Sequence, residues 1–199
     1  EMLHKIRDKA AEVLRYLVSL VNDILDMNKL QSGETKEQEI PFDIVDLIWK
    51  INSIYSQKAA EKGINYTTDW KKDSIKHPYV IGNPVYLGRI LSNITDNAVK
   101  FSSSGSTITV WGNEEALDDE HVVFNLYCED QGKGMSEEFV KHAFDMFSQE
   151  NASSRSNYEG TGLGLTIAKK LADRMNGSIE LQSEVGVGTT VHIRLPFKT

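Results

Sequence analysis

Residues 84–101 read PVYLGRILSNITDNAVKF, and the rest of the chain can be placed outward from them. Pro84 suits the first turn of a helix, where its missing N–H costs nothing and its fixed φ is already helical. A helix therefore opens there and runs to about Phe101. Asn93, Asn97 and Lys100 are four and three residues apart, so they share one helix face. A polar face is ordinary for an amphipathic helix. An amide oxygen is also a suitable hard ligand for Mg2+, which keeps several waters and takes its other ligands from phosphates.

Upstream, residues 42–61 are helical by periodicity, and 64–70 and 79–81 are strand candidates. Downstream, 107–113 and 121–129 form a hairpin across the turn-rich 114–120, and Ser136 caps a helix reaching about 146. Residues 147–159 are polar and carry four serines without a period, which reads as a loop. Helix returns over 161–175 until Gly177, and 178–183 and 189–196 make a closing hairpin across EVGVG. Strands and helices mix without strict alternation, so the expected class is α+β, a two-layer α/β sandwich.

A different element precedes it. Ile6, Ala10, Val13, Leu17, Leu20, Ile24 and Met27 follow at alternating spacings of four and three, predicting one long helix over 2–30. A second row, Leu14, Val18, Val21 and Leu25, widens the apolar face to that of a four-helix bundle. One helix cannot bury this face alone, so a homodimer through it, or a partner helix elsewhere in the parent protein, is expected. Gly33 ends the helix, and the polar stretch before Pro41 is a linker. The division is 1–36 for bundle helix and linker, and 37–199 for the second domain.

The 199 residues are 40% hydrophobic, enough for a sizeable core. No run approaches the ~20 apolar residues that span a bilayer, and EMLHKIRDKA has no signal-peptide layout. The expectation is a cytoplasmic fragment without membrane contact, whose parent could still be membrane-anchored. Cys128 has no second cysteine to pair with and lies in the apolar run HVVFNLYC, as a small buried thiol would. A net charge of −7 argues against a general nucleic-acid surface, so an anionic ligand needs local cations, for which Lys100, Lys133 and Arg155 are candidates.

Two further motifs carry chemistry. In GTGLGL at 160–165, Gly160, Gly162 and Gly164 allow close backbone approach and leave free N–H groups at a helix N-terminus, which favours phosphate. Tight helix packing would use the same glycines, and the motif is neither G-x-G-x-x-G nor G-K-[ST]. In DQGKGM at 130–135, Asp130 follows a strand and precedes Gly132 and Gly134. A carboxylate there can accept from an exocyclic amine beside a thin pocket wall, though a plain Asx turn has the same residues.

With AFDMFSQ at 143–149 and DILDMNKLQSG at 23–33, these motifs resemble the N, G1, F and G2 boxes and the second bundle helix of sensor histidine kinases. The resemblance covers essentially the whole chain and implies a GHKL-type ATP-binding catalytic domain. It makes Asn97 the Mg2+ ligand with Asn93 one turn earlier, gives Lys100 a phosphate, and sets Phe101 beside the nucleotide. Asp130 recognises the adenine amine, with Gly132 and Gly134 turning around it. Arg155 reaches from the lid towards the terminal phosphate, although RSNYEGTG runs one residue longer than the common family spacing. Gly160, Thr161, Gly162, Leu163, Gly164 and Leu165 line the triphosphate, Thr190 supports the adenine end through water, and Phe144 and Phe147 anchor the lid. Asn83 stands where the family usually has Asp.

A kinase of this kind phosphorylates a histidine, and none of the five here fits. His4 imitates the family's H-E-x-R-T-P box, but Lys5 replaces the acid, Asp8 and Lys9 replace Thr-Pro, and only 22 positions separate it from Asp26. His77, His121, His142 and His192 belong to the catalytic domain. The expected function is therefore the ATP-binding catalytic part of a sensor histidine kinase, using Mg2+ and ATP. The γ-phosphoryl goes to a histidine on a bundle helix absent from this chain, and then to a response regulator receiver domain. Alone the fragment should show little autokinase activity. The alternatives are a nucleotide-sensing or dimerising module without turnover, a GHKL-type ATPase, and an anti-sigma type serine kinase, which the bundle helix disfavours. Gyrase and MutL relatives carry a water-activating Glu where Asn93 stands, and an amide cannot serve as that base.

Overall fold

The computed structural model describes residues 2–32, 39–70, 75–150 and 161–199. Helix α1 (Met2–Ser32) leads into β1 (Ile40–Asp43), α2 (Ile44–Glu61), β2 (Asn65–Asp69), β3 (Tyr79–Gly82) and α3 (Pro84–Phe101). There follow β4 (Thr107–Ala116), β5 (His121–Asp130), the single turn α4 (Glu137–Val140), α5 (Gly164–Arg174), β6 (Ser178–Glu184) and β7 (Gly188–Lys198).

The strands form one mixed sheet in the order β1-β3-β7-β5-β4-β2, with β6 on the edge of β7 that β3 touches only at its last residue. The long antiparallel ladders β4–β5 and β5–β7 make its centre, and β2 lies parallel to β4 from Asn65↔Thr107 to Asp69↔Trp111. Helices α2, α3 and α5 cover one face. Phe124, Ile108, Ile193 and Leu195 of the sheet are fully buried against Leu87, Ile90 and Ile167 of the helices, giving the α+β sandwich its core.

Local chemistry sets the helix that matters most. Asn83 Oδ1 accepts the Tyr86 N–H at 3.0 Å, Pro84 occupies the first turn, and Lys100 lies in the last turn, where the helix dipole favours a cation. Asp43 caps α2 in the same way through Asp46 N–H. Asn83 thus does at its helix start what an aspartate would.

Three details depart from the sequence expectations. Residues 40–43 form an edge strand before α2. Residues 141–147 leave helical geometry after one turn instead of continuing to about 146. Here His142, Ala143 and Asp145 N–H make local i→i−3 bonds, and two groups turn to tertiary partners: Asp145 C=O accepts from Thr166 Oγ1 at 3.1 Å, and Phe147 N–H donates to Gly162 C=O at 3.0 Å. Finally, β2 pairs in parallel with a strand on the far side of α3. On α1, Ile6, Leu14, Leu17, Val18, Val21 and Ile24 are exposed, while Leu20 packs against the core and Asp23 is buried.

A candidate nucleotide site between α3, α5 and the sheet

A cavity of about 480 Å3 opens between α3, the segment leading into α5, and the strand ends, a size suited to a small-molecule ligand. The face of α3 read from the sequence points into it: Asn93, Asn97, Lys100 and Phe101 are all lining residues. At the opposite wall Asp130, at the end of β5, is buried, and its Oδ1 accepts the Gly132 N–H at 2.8 Å. Burial pushes its carboxyl up to about 6, against the pull of backbone N–H groups of Gly132 and Thr189. Ile94, Ala98, Met135, Leu181 and Val191 supply apolar surface on this side. A flat base with an amine edge fits that combination of one carboxylate and an apolar slot.

The other end is built for anions. Thr161, Gly162, Gly164 and Leu165 line it, and α5 begins after Leu163 without a side-chain cap, so its first N–H groups carry the helix dipole towards the cavity. Gly162 has φ +70°, and a Cβ there would lie 2.9 Å from the Phe147 backbone. This is a tight approach that only glycine makes without strain. Lys100 and Lys133 place their ammonium groups 4.5 and 4.6 Å from the centroid of the Phe101 ring, giving the mouth two cations.

Asn93 tests whether a magnesium nucleotide fits these residues. Its buried Nδ2 has no hydrogen-bond partner among the described residues, although the side chain stands 3.9 Å from where a Cβ on Gly164 would be. A buried amide donor left open in a cavity is costly unless a ligand or water meets it. Among the described residues no cluster of three acidic, His or Cys side chains exists to cage a metal. Amide oxygens beside phosphates suit Mg2+, and the donor set fits.

Not every expected residue lies in the cavity. Gly132 stands behind Asp130, where a Cβ would be 2.6 Å from its Oδ1, and Leu163 is buried in the core. Thr190 is a correction. Asp130 pairs with Thr189 across β5–β7, and alternation sends Thr190 to the opposite sheet face, so Thr189 lines the cavity beside Asp130. Phe144 packs against the core, whereas Phe147 is 61% exposed and ties the loop through its backbone, at φ +63°. Arg155 and Gly160 lie outside the described residues.

Reading the sequence alone missed Asp23 and Arg89, both lining residues. Arg89 carries a signal in hindsight, standing one turn before Asn93 on the same face. Cys128 also borders the cavity, with its thiol pushed up to about 12 by burial, which keeps it inert. No histidine lines the cavity: His77, His121 and His142 pair with Glu114, Asp118 and Asp145, and His192 stacks on Tyr127.

Comparison with known proteins places the chain in a family. Residues 82–199 match the family described as histidine kinase-, DNA gyrase B-, and HSP90-like ATPase. The autoinducer 2 sensor kinase/phosphatase LuxQ of Vibrio parahaemolyticus is 32% identical over 94% of this chain and 22% of its own length. The signal transduction histidine-protein kinase BarA of Escherichia coli is 33% identical over 90% of this chain and 19% of its own. The chain thus spans about a fifth of the length of these two relatives. Among solved structures, full-length ShkA in complex with AMPPNP superposes with a TM-score of 0.73 at 30% identity, over 92% of this chain and 36% of that one. No helix among the described residues is long and apolar enough to cross a membrane. With its family matched over more than half its length, this chain belongs to the histidine kinase-, DNA gyrase B- and HSP90-like ATPases, as an ATP-binding catalytic domain of the sensor histidine kinase type.

Proposed function

We propose that the cavity holds Mg2+-ATP and presents its γ-phosphoryl group to a histidine on a bundle helix outside the described residues, for onward transfer to the receiver domain of a response regulator. The observation that carries this reading is Asn93. A carboxamide stands in the anion end of the cavity with its Nδ2 open, and a carboxamide has no basic site with which to activate water. Transfer to an external nucleophile follows more naturally than hydrolysis.

In this reading Asp130 accepts from the adenine amine and the α5 N-terminus receives phosphate oxygens. Lys100 neutralises phosphate charge, and Arg155 of the lid segment reaches the terminal phosphate. Asn97, with Asn93 beside it, would hold Mg2+, which supplies charge neutralisation at the phosphates when bound. Such catalysis is mainly positioning and electrostatics, with the Oβγ–Pγ bond breaking as the bond from the imidazole nitrogen to phosphorus forms. The exposed apolar face of α1 pairs with a second copy in the parent protein, bringing an acceptor histidine to the site.

Replacing Asn97 by Ala should weaken Mg2+-dependent binding of an ATP analogue about tenfold, the scale of one lost hydrogen bond to a charged group. Titration with and without Mg2+ reads this directly. Equal affinity for both proteins would remove the site. Turnover is tested by mixing the chain with a longer relative of itself that has an H box but a dead ATP site. Phosphate appearing on that histidine is expected. Its absence from verified mixed dimers would favour the nucleotide-sensing reading.

A further inference from the structure

One contact in the cavity is not used by the function above. Asp23, in the last third of α1, is 7% exposed, and both its carboxylate oxygens are engaged. Arg89 Nη2 of α3 donates to Oδ1 at 2.7 Å, and Thr161 Oγ1, just before Gly162, donates to Oδ2 at 2.8 Å. The three residues line the same cavity as Asn93 and Asn97. Leu163 N–H donates to the Thr161 oxygen at 3.2 Å, which leaves the hydroxyl proton directed at an acceptor. A guanidinium has donors only. Two donors from separate elements therefore converge on one buried oxyanion.

We propose that Arg89 and Thr161 form a phosphate cradle for the terminal phosphate of the nucleotide, and that the Asp23 carboxylate fills this cradle in its place when the site is empty. This rests on the ATP-site reading above. Three observations carry it beyond that reading. Arg89 lies one turn before Asn93 and two before Asn97, on the face of α3 that lines the cavity. Thr161 sits in the glycine-rich segment beside the uncapped start of α5. Arg89 holds the carboxylate through its Nη2, and a guanidinium donor that binds a carboxylate oxygen suits a phosphate oxygen equally. A fixed carboxylate at the phosphate end also repels a triphosphate, so Asp23 and the nucleotide compete for the same two donors. Because Asp23 is carried by α1, nucleotide binding and the docking of that helix oppose one another by reciprocal coupling.

The test titrates the 199-residue chain and its variants with AMPPNP and with ADP, both with Mg2+. Asp23→Ala should tighten AMPPNP binding by about fivefold or more while ADP changes by less than about twofold, since ADP has no γ-phosphate. Asp23→Asn, which removes the charge at constant size, carries the same expectation if the alanine variant melts early. Adding Arg89→Met to Asp23→Ala should return AMPPNP affinity to the wild-type value or below it and leave ADP unchanged, without stranding a buried carboxylate. Unchanged or weaker AMPPNP binding on removing Asp23 overturns the proposal, as does an equal gain for ADP, which would mean only that the cavity had been opened. Failure of the ATP-site reading is separate: neither nucleotide then binds any of the proteins, or Asp130→Ala binds both as wild type does.

Discussion

Asp130→Asn should bind an ATP analogue between about 10- and 100-fold more weakly than the wild type and yet melt at a higher temperature without nucleotide. The loss of affinity follows from removing a buried charged acceptor from an amine donor. The gain in stability follows from the cost of keeping that charge buried. A carboxyl at about 6 in the folded protein, against an ordinary 3.8, binds its proton more tightly folded than unfolded. For a raised carboxyl, the native state is favoured most below the unfolded value and loses stability as pH rises from about 4 to 6. Above that it carries a full penalty of about 2–3 kcal/mol. Asparagine keeps the Oδ1 that accepts the Gly132 N–H at 2.8 Å and carries no charge. Melting curves from pH 4 to 8 should show the variant gaining on the wild type as pH rises, then a constant gap above about pH 6. An Asp130→Asn protein less stable than the wild type at pH 8 would mean that the carboxylate has compensation the cavity does not show. Nucleotide affinity of the wild type should fall below about pH 6, because an amine donor selects the ionised carboxylate.

How much of this was legible beforehand depended on the range of the interaction involved. The start of α3 could be read because Asn83 and Pro84 act on their own helix, and the cavity face could be read because Asn93, Asn97 and Lys100 follow its period. The helix of α1 was legible for the same reason. Residues 141–146 were misread as α-helix because their apolar spacing is helical, while the tertiary bonds at this stretch come from Gly162 and Thr166, distant in sequence. The parallel β2–β4 pair joins strands separated by β3 and α3, and no local pattern encodes such a pairing. Thr190 in place of Thr189 is a one-residue error of register, which in a strand reverses the face of the side chain. Asp23 read as an ordinary polar residue of α1, because its partners Arg89 and Thr161 lie 66 and 138 positions away.

The closing hairpin EVGVG was read only as a turn, and its glycines, with Gly134 of the facing DQGKGM turn, should separate sharply on substitution. A Cβ on Gly134 would fall inside the Glu184 carbonyl, and one on Gly188 inside the Asp130 carbonyl, whereas a Cβ on Gly186 meets nothing within 4 Å. All three have positive φ, at +65°, +145° and +78° respectively, so each alanine pays backbone strain. Only two of them also overlap backbone that cannot rotate away. The DQGKGM turn and the β6–β7 hairpin are held together by Gly186 N–H donating to Lys133 C=O at 2.8 Å, and both are anchored in central strands. Gly134→Ala and Gly188→Ala must therefore push the hairpin off the turn, at about 3 kcal/mol or more once overpacking is added to strain, while Gly186→Ala should cost about 1 kcal/mol. Urea unfolding measures the difference. Because the displaced hairpin begins beside Asp130 and Thr189, the two severe variants should also lose nucleotide affinity at urea concentrations where they remain folded, and Gly186→Ala should keep it. If Gly188→Ala is as mild as Gly186→Ala, the hairpin yields freely and does not form a rigid wall of the adenine end.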